Sequence, residues 1–425
     1  MTDSTLKRSL GLADAVGIGF GAIVGAGIFV VTGVAAGIAG PALLVALLVA
    51  AVAATANALS SAQLAAEFPR SGGTYEYGYE LLGPWPGFVA GWMFLASKIA
   101  AAGTVALGLA GYTGALWPGV PPRAIAVGAI VLFTALNYFG IRRSSRVNLA
   151  IVAISLAALM LFVVTGAGRV RAENFLPFAP GGWRGTMEAA AILFFAYTGY
   201  ARIATLGEEV REPRSTIPRA IVITIIGAVL LYVAVALVAV GTVGTEAMAA
   251  TTAPLHAAAV TFDGGWIAVA VAIGGVTAML GVILSQLLGL SRMGFAMARR
   301  GDLPALLNHV HPKHGVPGRA VLVIGAIAAI VAATGTLRTV ASGAAFAILI
   351  YYGITNLAAM RMAVGHWPLA VGTTEPAPHL WLPRIVPIIG LFACIVLALS
   401  LSPRVILAGT GVLAAGVVWR LVASR

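Results

Sequence analysis

The sequence predicts an all-α membrane protein of twelve transmembrane helices, and three observations predict it. Of the 425 residues, 60% are hydrophobic and 9% charged, too little charged surface to keep a soluble chain of this size in solution. Apolar runs of about 20 residues, the length that crosses a bilayer as a helix, recur from end to end. The basic residues alternate between the ends of those runs, as expected of a multi-pass protein. The twelve runs are centred near Val24, Ala54, Ala100, Val131, Leu156, Ile192, Val229, Ala278, Ala328, Leu349, Val396 and Leu413. They consume most of the chain, so the expected organisation is a single transmembrane domain over residues 1–425.

A net charge of +12 raises nucleic acid or an acidic surface as partners, but its distribution reads as topology. With the N-terminus cytoplasmic, eighteen of the 26 basic residues fall at inner ends, among them Lys7, Arg8, Arg70, Arg142, Arg143, Arg211, Arg299, Arg300, Arg361 and Arg420. Six fall at outer ends: Arg123, Arg169, Arg171, Arg184, Arg338 and Arg404. The expectation is a cytoplasmic-membrane protein with both termini inside, with the lipid bilayer as partner and no nucleic acid. The single cysteine, Cys394, lies in the eleventh run and allows no intramolecular disulfide. Lys7 and Arg8 before an apolar run resemble a secretory signal, but the run is too long and the expectation is that it stays.

Taken in order, most runs are Ala, Val, Leu and Ile, as lipid-facing helices are. Two are not. The first run contains Gly17, Gly19, Gly21, Gly25 and Gly27, with Gly-Ala-Ile-Val-Gly-Ala-Gly-Ile-Phe from Gly21 to Phe29. The sixth contains Phe-Phe-Ala-Tyr-Thr-Gly-Tyr-Ala-Arg from Phe194 to Arg202. Each glycine weakens a helix interior by about 1 kcal/mol relative to alanine, so clustered glycines at mid-membrane depth favour a break. A broken helix bares backbone groups that hydrocarbon cannot satisfy, and it survives only facing protein, water or a polar ligand. Two interrupted runs at matching places in two halves point to a transporter binding site. Here they stand five runs apart, and an odd offset makes them enter the membrane from opposite sides. That predicts an inverted repeat of five plus five helices, about 10–166 and 185–361, with two further helices at about 382–422. The alternative for Gly17, Gly21 and Gly25 is a small-residue stripe for close helix packing. A dinucleotide-binding role fails, since no strand precedes these glycines.

With these features in place the chain resembles the amino acid–polyamine–organocation (APC) superfamily of transporters over nearly its whole length. The marks are the Gly21–Phe29 motif, Glu-Phe-Pro-Arg-Ser-Gly-Gly-Thr-Tyr-Glu-Tyr after the second run (Glu67 to Tyr77), and Gly-Glu-Glu-Val-Arg-Glu-Pro after the sixth (Gly207 to Pro213). The fourth, after the eighth run, is Ser-Arg-Met-Gly-Phe-Ala-Met-Ala-Arg-Arg-Gly-Asp-Leu-Pro (Ser291 to Pro304). The resemblance implies a LeuT-type fold, and transport of amino acids or their amines by proton coupling or exchange.

A zwitterionic amino acid needs a carboxylate and an ammonium satisfied together. The N-terminus of a half-helix suits the carboxylate, which places it on the amides of Gly25, Ala26 and Gly27. Unwound carbonyls suit the ammonium, which places it near Ile23 and around Phe195, Ala196, Tyr197, Thr198 and Gly199. Ser97 and Ala101 of the third run, with Phe195 or Tyr197, would complete the side-chain pocket. The resemblance puts Phe195 at an aromatic gate above the substrate, with plain packing as the alternative. None of these positions carries an acid, which favours neutral substrates.

An ionised side chain at a helix centre costs at least about 2.5–3.5 kcal/mol, so Lys98, midway through the third run, stands out. The chain has three lysines among its 26 basic residues, and lysine, unlike arginine, can exchange its proton inside a protein. Lys98 is therefore a proton-coupling candidate, or a fixed cation in place of a metal ion, against the alternative of a snorkelling or structurally paired lysine. Some members of the superfamily carry a lysine where this chain has Ser155. Thr277, Ser285 and Ser291 are too scattered for a sodium site of the LeuT kind. Arg202, just past the sixth-run motif, reads as an inner-gate residue paired with Asp14, Glu67, Glu208 or Glu209, or as a structural salt link. His309, His311 and His314 have no metal-site spacing, and no residue set is placed for enzyme catalysis. No cofactor is implied, and the oligomer is a monomer or homodimer. The expected function is secondary active transport, with an amino acid/amine or polyamine exchanger and a transport-dead nutrient sensor as alternatives.

Overall fold

The computed structural model describes residues 10–68, 73–140, 145–204, 210–364 and 383–423. Of the basic residues used for topology, Lys7, Arg8, Arg70, Arg142, Arg143 and Arg425 lie outside the described residues, as do Glu208 and Glu209.

Helix α1 (Leu12–Ile23) begins where the Asp14 side chain accepts a hydrogen bond from the Gly11 amide at 2.9 Å. A carboxylate there satisfies an orphan donor and sits at the positive end of the helix dipole. The helix stops at Val24, whose φ of −73° and ψ of 107° are extended. The chain resumes as a π-helical turn, Gly27–Val31, continuous with α2 (Thr32–Ala39). A 3-10 turn, Gly40–Ala42, leads into α3 (Leu43–Glu67). A short helix, α4 (Thr74–Leu82), precedes α5 (Pro84–Leu116), and the elbow between them is Gly83 at φ 101°, a left-handed conformation open to glycine.

Helices α6 (Pro122–Tyr138) and α7 (Ser145–Gly166) follow. Then come α8 (Gly182–Tyr197), the 3-10 turn Thr198–Tyr200 and α9 (Ala201–Ala204). The remaining helices are α10 (Pro213–Ala249), α11 (Pro254–Val260), α12 (Trp266–Arg299), α13 (Gly318–Thr334), α14 (Leu337–Val364), α15 (Ile385–Ser400) and α16 (Pro403–Ala423). Among the described residues there is no strand, only one bridge pairing Leu10 with Val210. The described structure is all-helical.

Among the described residues, seven stretches are long and apolar enough to cross a membrane: Leu12–Ala65, Pro84–Leu116, Val147–Arg169, Ser215–Ala249, Trp266–Arg299, Leu337–Met362 and Pro403–Ala423. Helices α6, α13 and α15 are apolar but shorter. The outer helices present large apolar side chains outward, such as Val164, Leu230 and Leu407 at 70%, 68% and 76% exposure. Water would penalise that surface at roughly 25 cal/mol per Å², whereas lipid accepts it.

Inside, α3 packs on α8, and α5 packs on α12 and α14. Alanines such as Ala46, Ala50, Ala54, Ala189, Ala190 and Ala191 are buried at these interfaces, letting backbones approach closely. Buried polar links tie the helices. Asn356 on α14 donates to the Asn57 side-chain oxygen on α3 at 2.5 Å, and the Cys394 thiol on α15 donates to the same oxygen at 3.3 Å.

At one edge, two of the sequence motifs meet. Tyr75 and Tyr79 on α4 donate to the Asp302 carboxylate just past α12, at 2.6 Å each. Arg420 of α16 pairs with the same carboxylate, which is 5% exposed. Trp419 donates to the Asp302 carbonyl at 2.8 Å. Burial and the adjacent carboxylate push the Tyr79 hydroxyl up to about 12 and the Tyr75 hydroxyl higher still, so both stay protonated donors across physiological pH. The motifs after the second and eighth runs thus form one buried cluster that also holds α16.

Candidate functional site

The two interrupted helices lie against each other at their interruptions. A Cβ on Gly27 would sit 2.5 Å from the Ala196 Cα, and one on Gly199 would sit 2.2 Å from the Ala22 carbonyl oxygen and 2.5 Å from the Ile23 nitrogen. Each approach is closer than any side chain allows, so each glycine is required by the backbone of the opposite helix. The first interruption is open: Val24 and Gly25 leave the helical ladder, and the Gly25 carbonyl is picked up again by the Phe29 amide at 3.3 Å. Amides at the start of the resumed segment have no partner within their own helix. The second is milder than a gap, a 3-10 turn in which the Thr198 hydroxyl donates to the Phe195 carbonyl at 2.9 Å.

One side chain bridges the two. The Tyr232 hydroxyl, from α10, donates to the Ile23 carbonyl at 2.7 Å and lies 3.2 Å from the Ala196 carbonyl. A second tyrosine does related work further along. Tyr112 of α5 donates to the Phe29 carbonyl at 2.6 Å and accepts from the Leu255 amide at 3.3 Å. Both tyrosines are buried. Sequence reading passed over them, although a signal was present: a lone tyrosine in a wholly apolar run must find a partner for its hydroxyl. Irregular backbone supplies one.

The residues expected at the site divide. Ile23, Gly25, Ala26, Gly27, Ala196, Tyr197 and Thr198 are buried at the paired interruptions, and Phe195 and Gly199 are half-buried beside them. The Tyr197 hydroxyl has no hydrogen-bond partner among the described residues, and its ring lies 5.3 Å from that of Tyr232. Ser97 and Ala101 are buried in α5, with the Ser97 hydroxyl turned back to its own Phe94 carbonyl at 2.8 Å. Helix α5 meets the first span at Gly108, where a Cβ would lie 2.5 Å from Val30, and at Tyr112. Those positions are about two to four turns along from Ala101 and Ser97.

Lys98 is half-buried over the Phe94 ring, its Nζ 5.9 Å from the ring centroid, with no ion pair or hydrogen bond among the described residues. Phe94 in turn packs on Tyr351 of α14 at 5.5 Å, edge to face. Ser155 is buried in α7, donating to the Ile151 carbonyl at 2.8 Å and lying 3.3 Å from the Gly274 carbonyl on α12. It joins α7 to α12. Arg202 sits exposed on α9. The rings of His311 and His314 lie 4.6 Å apart against Tyr138 and Phe139.

Two helices interrupted side by side in an apolar bundle define a membrane transporter architecture, and comparison with known proteins agrees. A model of the amino acid permease family matches residues 10–420. The chain therefore belongs to the amino acid permease family, within the APC superfamily. It is 42% identical to an uncharacterized transporter of Mycobacterium tuberculosis over 415 residues, 97% of this chain and 90% of that one. It is 32% identical to the branched-chain amino acid permease BcaP of Bacillus subtilis, over 77% of this chain and 75% of that one. It is also 32% identical to the methylthioribose transporter of Bacillus subtilis, over 92% and 88% respectively. The family and these relatives are transporters, not enzymes.

Proposed function

We propose that this protein is a secondary transporter that carries a neutral amino acid across the cytoplasmic membrane by alternating access around the paired interruptions. The observation that carries the reading is the pairing itself, Gly27 against Ala196 and Gly199 against Ala22 and Ile23. In this reading the substrate carboxylate meets the amides of Gly25, Ala26 and Gly27, and the ammonium meets carbonyls near Ile23 and around Phe195 to Thr198. Twelve crossings fit the described helices when the first apolar stretch counts as two and α8 joins the shorter α6, α13 and α15. The five-plus-five inverted repeat, with both termini inside, is the arrangement that gives the two interruptions opposite directions.

A neutral substrate is favoured because no acidic side chain stands among the pocket residues, and because one relative is named for branched-chain amino acids. Proton coupling is assigned to Lys98, whose ammonium lies over Phe94 without an acid partner among the described residues. The test is uptake of labelled amino acids into proteoliposomes with and without an inward proton gradient. Stimulated uptake of one neutral class, made pH-independent by Lys98→Ala, is expected. PH-dependent uptake surviving in Lys98→Ala would remove that lysine from the mechanism, and uptake only into preloaded vesicles would make the protein an exchanger.

A further inference from the structure

Where the α4–α5 elbow diverges from the last turns of α14, the surface carries an open groove of about 410 Å³ lined by Leu82, Pro86, Leu357, Met360 and Arg361. The Gly83 turn sets the divergence, because it swings α5 away from α4 just as α14 ends. Behind the groove α4 and α14 remain fastened, by Thr74 to Thr355 at 2.8 Å and by a small apolar cluster that includes Tyr77, Leu81, Ala358 and Ala359.

Its walls are apolar apart from one guanidinium. Leu357 is 40% exposed, Trp85 beside Pro86 is 43% exposed, and Arg361 is exposed in the last turn of α14. Arg361 makes no ion pair or hydrogen bond among the described residues, whereas nearby Arg420 is committed to Asp302. Exposed tryptophan and arginine at the end of a spanning helix mark the lipid headgroup level. There an apolar groove takes hydrocarbon, and a guanidinium forks onto phosphate oxygens. A phospholipid with net negative charge satisfies both at once, while a zwitterionic one brings its own cation to compete.

We propose that this groove is a binding site for an anionic glycerophospholipid, with an acyl chain along Leu82, Pro86, Leu357 and Met360 and the phosphate on Arg361. Such a lipid would brace the α4–α5 elbow against α14, on the same short helix whose Tyr75 and Tyr79 hold Asp302. The competing explanation is that Arg361 only offsets the negative end of the α14 dipole, a role indifferent to the lipid headgroup.

The test is native mass spectrometry of delipidated full-length protein titrated with dioleoyl-phosphatidylglycerol or dioleoyl-phosphatidylcholine. The variants are Arg361→Gln, Arg361→Lys, Leu357→Trp to fill the groove, and Arg404→Gln as an exposed control. One phosphatidylglycerol retained tightly by the wild type, weakened about tenfold in Arg361→Gln, less in Arg361→Lys, and displaced in Leu357→Trp, is the expected result. Phosphatidylcholine should bind weakly to all, and Arg404→Gln should behave as the wild type. Equal retention of both lipids, equal retention by Arg361→Gln, or full competition by soluble glycerol phosphate would overturn the proposal.

Discussion

Replacing Tyr232 with phenylalanine probes the link between the two interruptions at the cost of one oxygen atom. The ring remains, with its packing against Tyr197 at 5.3 Å. What disappears is the donor for the Ile23 carbonyl at 2.7 Å, and with it the weaker approach to the Ala196 carbonyl at 3.2 Å. Both acceptors are buried, at 3% exposure each, and at this depth no lipid donor replaces the lost hydroxyl. An acceptor left unsatisfied in such a place costs about 1–3 kcal/mol. The 2.7 Å contact dominates, so the expected loss is about 2 kcal/mol, or roughly thirtyfold in the folded-to-unfolded ratio. Detergent-titration unfolding in mixed micelles reads the stability, and proteoliposome uptake reads the site. Stability and uptake both equal to wild type would refute the view that Tyr232 holds the interruptions together.

Other substitutions separate packing from chemistry. Gly27→Ala and Gly199→Ala drive a methyl group into the facing backbone and should each destabilise by about 1–3 kcal/mol, whereas Gly17→Ala meets nothing within 4 Å and should stabilise α1 by about 0.5–1 kcal/mol; thermal unfolding of the three distinguishes them. Asp302→Asn breaks a pair whose acid is 5% exposed and whose arginine is 18% exposed, and should cost about 3 kcal/mol, freeing α16 to faster hydrogen exchange. Burial holds the half-buried His256 imidazole of α11 below its usual range, so the unfolded chain takes up the proton more readily than the folded one. Stability should be full above about pH 6.5 and decline as the pH falls below it, a decline that His256→Gln should flatten in thermal unfolding scans.

Much of the architecture was legible because bilayer physics writes it into composition. Each predicted run centre, from Val24 to Leu413, falls in or at the interruption of a helical segment. The first interruption was legible from the clustering of Gly25 and Gly27, since each glycine weakens a helix interior, although close helix packing also uses such residues. The second was legible as a place but not as a form. Thr198–Tyr200 stays wound as a 3-10 turn because Thr198 satisfies the Phe195 carbonyl from its own side chain. Tyr232 and Tyr112 were missed because their partners are backbone atoms on helices far away in sequence, which no local pattern encodes. The same holds for Asp302. It sat visibly in a motif, but its three side-chain donors come from α4 and α16, and only the packed chain brings them together. Short helices α4 and α11 escaped notice because a hydropathy pattern tuned to about 20 residues passes over segments of 9 and 7.

The central claim is that the amino acid sits between the two interruptions. A cryo-electron microscopy structure with the transported amino acid bound tests it most directly. The account predicts density for the carboxylate against the amides of Gly25 to Gly27 and for the ammonium near the Ile23 carbonyl. Substrate density elsewhere, with those amides closed on their own backbone, would contradict it.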